Sequence, residues 1–143
     1  MTRALLLAAL MVCTAACSNN TGDTTGLSGL TAPTAAQTVD SFSGTVAVSG
    51  RDAHTFTVVG GSQPLLVTLT AAGPPTTIFM GVGVGVPATD GSCSIGSGAV
   101  FLAQAGMTGQ LSGAVPAGSY CVVVFDIGNQ TAPVDYTVTV AHA

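Results

Sequence analysis

The sequence predicts an all-β protein: a jelly-roll-like antiparallel β-sandwich of about eight strands, preceded by a signal peptide and a flexible tether. Three observations predict it. From residue 41 onward, apolar and polar residues alternate with a period of two. Gly and Pro clusters separate the alternating segments, and 19 of the 143 residues are Gly. No convincing helical stretch interrupts this pattern, so short strands joined by turns indicate a sandwich.

Residues 1–16 have the pattern of a secretory signal peptide: a basic start at Arg3, a short apolar run and then small residues. The apolar run is shorter than the roughly 20 residues that a membrane-spanning helix needs. Ala15-Ala16-Cys17 resembles the lipobox of bacterial lipoproteins, although Thr14 stands where that family usually has Leu. The resemblance implies that Cys17 becomes the lipidated N terminus. An ordinary cleaved secretory signal is the alternative.

Residues 17–40 follow as a linker rich in Thr, Ser, Gly and Asn without any apolar period, which predicts a flexible tether. The remaining residues, 41–143, form the predicted sandwich domain. If cleavage removes Arg3, the mature chain keeps Arg51 as its one basic residue against six Asp. Anionic headgroups would repel such a chain, so acyl chains would have to hold it at the bilayer.

The alternating segments predict the strands in order. They are residues 44–50, 54–59, 65–71, 76–86, 99–104, 108–115, 120–126 and 133–141. In each run the alternating apolar side chains share one face, and 76–86 shows this most clearly. There, one face carries Ile78, Met80, Val82, Val84 and Val86. Segment 120–126 is almost continuously apolar, which predicts a strand buried on both faces.

The other face of segment 76–86 carries Phe79, Gly81, Gly83 and Gly85. Glycines in a strand mark places where something approaches the backbone closely. Two interpretations are open: close packing within the sheet, or a flat binding surface. Close packing is the favoured interpretation.

The four cysteines have separate predicted fates. Cys13 leaves with the signal peptide and Cys17 takes lipid, so Cys93 and Cys121 remain as a pair in an oxidising compartment. A disulfide between them would stabilise the fold by roughly 3–4 kcal/mol. Two free thiols or half a metal site are the alternatives, but the chain has only two His and no C-x-x-C spacing, which disfavours zinc.

Two stretches resemble the bacterial pre-peptidase C-terminal (PPC) domain. Residues 54–70 are similar to the early strand pair of that family, and residues 115–125 with 135–140 are similar to its closing hairpin. The resemblance implies a jelly-roll-like sandwich without peptidase activity, because such domains usually accompany secreted proteases as non-catalytic appendages. Some relatives bind calcium through an acidic strand, and Pro75–Met80 does not match that strand.

The composition excludes several chemistries. Without Lys there is no phosphate-binding loop of the G-x-x-x-x-G-K type and no Schiff-base lysine, and without Glu there is no H-E-x-x-H metalloprotease site. Two Arg are too few for nucleic acid to be an expected partner. No cofactor is expected. His54 begins a strand and is predicted to be a surface or rim residue, and His142 lies in a tail expected to fray.

Calcium is a weak candidate ligand. Asp90, Ser92, Asp126 and Asn129 would supply oxygen atoms if the predicted disulfide drew their loops together, but no EF-hand-type loop is present. The same Asp residues are also explained as turn formers.

The sequence therefore predicts a non-catalytic, lipid-anchored β-sandwich with a binding or scaffolding role and a glycan or a protein as ligand. The predicted location is the bacterial cell envelope, as an outer-membrane lipoprotein facing the periplasm or the surface, or secreted if not lipidated. A small secreted hydrolase using His54 and a purely structural envelope protein are the alternatives. Edge strands without Lys also predict self-association.

Overall fold

The computed structural model describes residues 36–106 and 108–143. The signal peptide, Cys17 and the linker up to residue 35 lie outside the described residues. Eight strands account for most of the described chain. Their bounds are β1 (Thr38–Val46), β2 (Arg51–Val58), β3 (Gln63–Gly73), β4 (Phe79–Pro87), β5 (Cys93–Gln104), β6 (Leu111–Val115), β7 (Gly118–Phe125) and β8 (Val134–His142).

The strands pair as if one long hairpin had been folded over. β1 pairs with β8, β2 with β7, β3 with β6 and β4 with β5, and every pairing is antiparallel. The first and third of these pairs form one four-stranded sheet, with the order β1-β8-β3-β6. The second and fourth pairs form the other sheet, with the order β2-β7-β4-β5. This is the jelly-roll arrangement, so the predicted fold class is confirmed.

The core lies between the two sheets and consists of the residues that alternation directed inward. Four of the five apolar residues predicted to face inward from segment 76–86 are buried, as are all four of β8. They are Ile78, directly before β4, then Met80, Val82 and Val84 on β4, and Val134, Tyr136, Val138 and Val140 on β8. Burying such side chains contributes about 1.5–3 kcal/mol each.

Both bounds of β1 differ from the sequence prediction. β1 begins at Thr38 rather than in segment 44–50, because its first residues pair with the end of β8. It ends at Val46, where a turn closed by a hydrogen bond from Gly50 N to Ala47 O leaves Val48 exposed. Val86, at the end of β4, is also exposed although it was predicted to face inward.

β5 is longer than segment 99–104 because it begins at Cys93. Its first residues pair with Gly85, Val86 and Pro87, and its last ones pair with Phe79 to Gly83. Between these stretches the register shifts, and Gly98 has a φ of 84°. Because this bulge interrupts the alternation, the first half of the strand has no period-two pattern.

Within residues 36–106 and 108–143, no helix has the length and hydropathy needed to cross a bilayer.

Candidate binding face

One face of the β2-β7-β4-β5 sheet packs against the core, and the other has no layer over it in the described structure. We call the second surface the open face and define it by the side chains that alternate away from the core. It comprises Arg51, Ala53 and Thr55 of β2, Cys121, Val123 and Phe125 of β7, Phe79, Gly81, Gly83 and Gly85 of β4, and Ile95, Val100 and Leu102 of β5. Both faces of this sheet are therefore apolar, which is unusual for an antiparallel sheet with one side open.

The three glycines of β4 shape the open face. A Cβ atom at Gly81 would overlap the ring of Phe125, and one at Gly83 would lie 3.0 Å from Cδ1 of Ile95. Side chains from the neighbouring strands thus lie across the bare backbone of β4. The favoured interpretation of these glycines, close packing within the sheet, is the one the contacts support, while Phe79 on the same face remains exposed.

Gly85 has a different neighbour, because the backbone of β5 leans over it. A Cβ atom there would overlap the carbonyl of Ser94. This close approach brings the start of β5 across β4 to β7, and the Cα atoms of Cys93 and Cys121 are 5.9 Å apart in a disulfide. The predicted disulfide is confirmed. It covers part of the open face and explains how Cys121 is buried on the side away from the core.

β7 is buried on both sides, as its apolar run predicted, but for two different reasons. Val122 and Val124 face the core between the sheets. Val123 is only 1% exposed although it lies on the open face. It pairs with Ala53 of β2 and Gly83 of β4, and no further layer of the described structure lies over it.

A cleft of about 290 Å³ opens along β7 on this face. Its floor is apolar and its rim at the β1–β2 turn is polar. The lining residues are Val123, Phe125 and Ile95 on the floor and Ser49, Gly50, Arg51 and Asp126 on the rim. A concave apolar surface with a few convergent polar groups is the usual form of a ligand site.

Arg51 supplies the positive charge of the cleft and is the only Lys or Arg of the described residues. It stands directly opposite Phe125 in the β2–β7 pairing. Among the described residues, its guanidinium forms no ion pair. Its planar fork of N–H donors is suited to binding a carboxylate through two parallel hydrogen bonds.

Asp126 lines the same cleft, but its carboxylate is hydrogen-bonded to backbone N–H groups. Its Oδ2 accepts a hydrogen bond from the N–H of Ser49 (2.7 Å), and its Oδ1 accepts from the N–H groups of Gly128, Asn129 and Gln130 (2.8, 3.1 and 3.2 Å). These bonds, that from Ser49 most of all, lower the pKa of the carboxyl group. The carboxylate therefore fixes the β1–β2 turn, which precedes Arg51, to the loop after β7.

The calcium candidates do not come together. Asp126 directly follows Phe125, which pairs with Gly81 near the start of β4. Asp90 lies in the turn after Pro87, at the other end of β4. The six residues from Gly81 to Pro87 span about 20 Å, far more than one ion's ligand shell of about 2.5 Å radius. The disulfide therefore does not unite these loops. Asp90 and Asp126 therefore do not face one common ion.

Each candidate calcium ligand instead serves its own turn. Asp90 accepts hydrogen bonds from the hydroxyl and the N–H of Ser92 (2.6 and 2.9 Å), which lower its pKa, and Asn129 donates its side-chain N–H to the carbonyl of Phe79 (3.0 Å). Within the part of the chain that the structure describes, no three His, Cys, Asp or Glu side chains are grouped as a metal site.

His54 lies within β2 and belongs to a polar cluster at the edge of the sandwich. Its ring stacks on Phe42, with centroids 4.9 Å apart and planes 9° from parallel. The Tyr136 hydroxyl lies 2.8 Å from His54 Nε2 and donates to Oδ2 of Asp52 at 2.9 Å. A hydroxyl has one hydrogen to donate, so His54 Nε2 must be the donor in the first bond.

This cluster does not have the form of a hydrolase site. The ring nitrogen of His54 that meets Tyr136 already carries a hydrogen, and burial together with Asp52 raises the pKa of Tyr136, which keeps the phenol neutral. Among the described residues no serine hydroxyl is hydrogen-bonded to His54. A nucleophile activated by an adjacent base, which hydrolysis requires, is therefore not assembled there.

His142 was expected in a fraying tail, and this expectation was wrong. It is 3% exposed and ends β8, with its Nε2 2.9 Å from Oδ2 of Asp40. The ring also packs on Phe56, and the carbonyl of Ala143 accepts a hydrogen bond from the N–H of Val59 (3.3 Å). Because β1 begins at Thr38, Asp40 lies alongside β8 and contacts His142. His142 and Ala143 are thus held by Asp40 of β1 and by Val59 after β2.

Sequence reasoning found the glycines of this face but missed Arg51. Two signals were available: it is the single basic residue after the signal peptide, and it stands at the start of a strand directly after Gly50. The prediction that β7 is buried on both faces gave no indication of a cleft beside it.

Comparison with known proteins adds little to this geometry. No family model matches the chain, and no curated protein matches it. Among solved structures, PliG from Aeromonas hydrophila, a periplasmic inhibitor of g-type lysozyme, is similar at 18% identity over 73% of this chain and 86% of that chain, with a TM-score of 0.47. Identity and TM-score at these levels are too low to carry over a ligand or an activity.

Proposed function

We propose that the chain is a non-catalytic module of the bacterial cell envelope, anchored through lipid at Cys17, that binds a polypeptide carrying a carboxylate at the Arg51 cleft. One observation carries the proposal: the single cation of the described residues stands without an ion pair beside an apolar cleft on an uncovered sheet face. The lipobox resemblance supports the anchor, and the resemblance to PPC domains supports a role without catalysis.

The chemistry of the cleft selects the ligand class. A guanidinium binds carboxylates with defined geometry, and the half-buried apolar side chains of Ile95 and Phe125 suit the apolar side chains of a polypeptide. Because Asp126 is occupied by four backbone N–H groups, Arg51 is the cleft group that remains to meet a ligand charge. An acidic side chain or a C-terminal carboxylate next to apolar residues meets both requirements.

The test uses the full chain, purified in detergent, on an array of peptides with acidic or apolar termini and on an array of neutral and acidic glycans. We expect peptide hits that contain a carboxylate beside apolar residues. Arg51→Gln should weaken them by about 10-fold or more, since hydrogen bonds to charged groups contribute about 1.5–3 kcal/mol. Glycan hits without peptide hits would contradict the ligand class, and no hits at all would favour the purely structural alternative.

Ser41→Asp is the matched control. It makes the same change in net charge as Arg51→Gln, but on an exposed residue of β1 in the other sheet. Binding should persist in this variant. Equal loss in both variants would show that net charge, rather than the Arg51 cleft, governs binding.

A further inference from the structure

β5 is an edge of the β2-β7-β4-β5 sheet, since β4 is the only strand with which it pairs. Residues 100–104 form its regular part, paired one by one with Phe79 to Gly83 of β4. In such a strand, alternate residues direct their N–H and C=O groups away from the partner. The regular part of β5 therefore presents unpaired backbone groups along its outer side.

This edge carries none of the features that usually protect an edge strand from pairing. Natural edges are often blocked by Lys, Pro or inward-pointing charges, and residues 99–104 (Ala-Val-Phe-Leu-Ala-Gln) contain no such residue. The only irregularity is the bulge around Gly98, which lies before the regular part. Beside the edge, Leu102 is 63% exposed and Val100 is 43% exposed. Two exposed aliphatic side chains on one strand favour a partner that covers them.

Charge placement indicates which partner fits. Strands β3 to β7 contain no Asp, Glu, Lys or Arg, and the ionised residues within strands are on β1, β2 and β8. The chain carries a net charge of −4, so two copies repel each other wherever their acidic sides meet. β5 and β6 are the two edge strands without carboxylates, and of these two β5 is the one with exposed large aliphatic side chains.

We propose that two copies of this chain pair through β5, antiparallel and across a two-fold axis near Leu102, so that their sheets join into one. Such an interface is self-complementary, because the strand that one copy offers is the strand that the other copy needs. The joined sheet has five strand spacings between the two β7 strands, about 24 Å. The two Asp126 carboxylates that follow those strands are thus separated by well over the Debye length of about 8 Å.

This pairing is independent of the proposed ligand site. Arg51 lies on β2, at the far edge of the same sheet, so both clefts stay open and face the same side of the joined sheet. The dimer would present two ligand sites from one surface. The outcome of the ligand-binding test at Arg51 therefore does not bear on the β5 pairing.

The test is sedimentation equilibrium of the full chain in a density-matched detergent, at several ratios of protein to micelle. We expect a dimer that persists as micelles are added in excess. Leu102→Lys should weaken it by 10-fold or more, because the two new charges meet at the two-fold axis. Val100→Lys, made separately, should also weaken it, because it places a charge across from Gln104 of the second copy. Both side chains are exposed in the single chain, so the thermal midpoint of each variant should stay near that of the wild type.

Val39→Lys is the matched control, since Val39 is 61% exposed on β1, the edge strand of the other sheet. This variant should dimerise like the wild type. A wild-type chain that remains monomeric at high concentration, a dimer that survives both β5 substitutions, or equal loss in Val39→Lys would each overturn the proposal.

Discussion

Removal of the Cys93–Cys121 disulfide should destabilise the sandwich by an amount that can be worked out from the chain. The two cysteines are 28 residues apart in sequence. Closing a loop of that length removes about 12 cal/mol/K of entropy from the unfolded chain, which is about 3.6 kcal/mol at 25 °C. A folded unit of about 110 residues has an unfolding entropy of about 0.23 kcal/mol/K near its midpoint, so the expected loss is about 15 °C.

The assay is thermal unfolding followed by circular dichroism, for the wild type with and without reductant and for the double variant Cys93→Ala/Cys121→Ala. Reduced wild type isolates the cross-link, because both sulfur atoms remain. The double variant should melt somewhat lower still, since Cys121 is buried and its truncation removes packing.

Reductant should leave the midpoint of the double variant unchanged, which serves as the control. A reduced wild type that melts within about 4 °C of the oxidised protein, equivalent to less than about 1 kcal/mol, would refute the reasoning. It would mean that the unfolded chain gains little freedom when the bridge is cut.

Three further substitutions test separate contacts by the same unfolding assay. Gly85→Ala should destabilise the fold and slow oxidation of the disulfide, because the added Cβ would overlap the β5 backbone. Gly113→Ala, where the added Cβ meets open space, is the control and should have little effect. Equal effects of the two substitutions would contradict the close approach of β5 to Gly85. Tyr136→Phe should cost about 1–3 kcal/mol, since two polar partners lose one hydroxyl. Tyrosine in the unfolded chain ionises at a pH of about 10, whereas the raised pKa keeps Tyr136 of the folded protein neutral at that pH. The free energy of unfolding of the wild type should therefore fall as the pH rises above about 10. This fall should be smaller in Tyr136→Phe. The lowered pKa of Asp126 contributes stability above pH about 4, and this contribution is lost as the pH falls further. Asp126→Asn should therefore lower the thermal midpoint at pH 7 and reduce the loss of stability as the pH falls below about 4. An unchanged loss of stability in acid would count against the four backbone hydrogen bonds of Asp126.

Alternation predicted the core well because one face of each strand is buried and the period of a strand is two. Met80 and Val82 on β4 and Val138 on β8 are fully buried, as their spacing required. The same rule failed where the strand was not regular. Val48 continues an alternating pattern into a turn, and the first half of β5 has no pattern because a bulge separates it from the second half.

The candidate site was harder to predict than the core because it depends on contacts between strands distant in sequence. The glycines of β4 indicated a close approach, but the pattern gave no way to know that Phe125 would be the side chain over Gly81. Asp90 and Asp126 looked like one ligand set only while the direction of each strand was unknown. Register, which local sequence does not specify for strands so far apart, decided both outcomes.

The position of β8 has a consequence for how this molecule acquires its structure. The strand that ends at His142 lies between β1 and β3, and hydrogen-bonds to both. Until β8 emerges from the ribosome, β1 has no strand to pair with in this sheet, and β3 lacks one of its two neighbours. A polypeptide made from its amino end therefore cannot complete this sheet until β8 has been synthesised, so folding of the sheet follows the appearance of that strand.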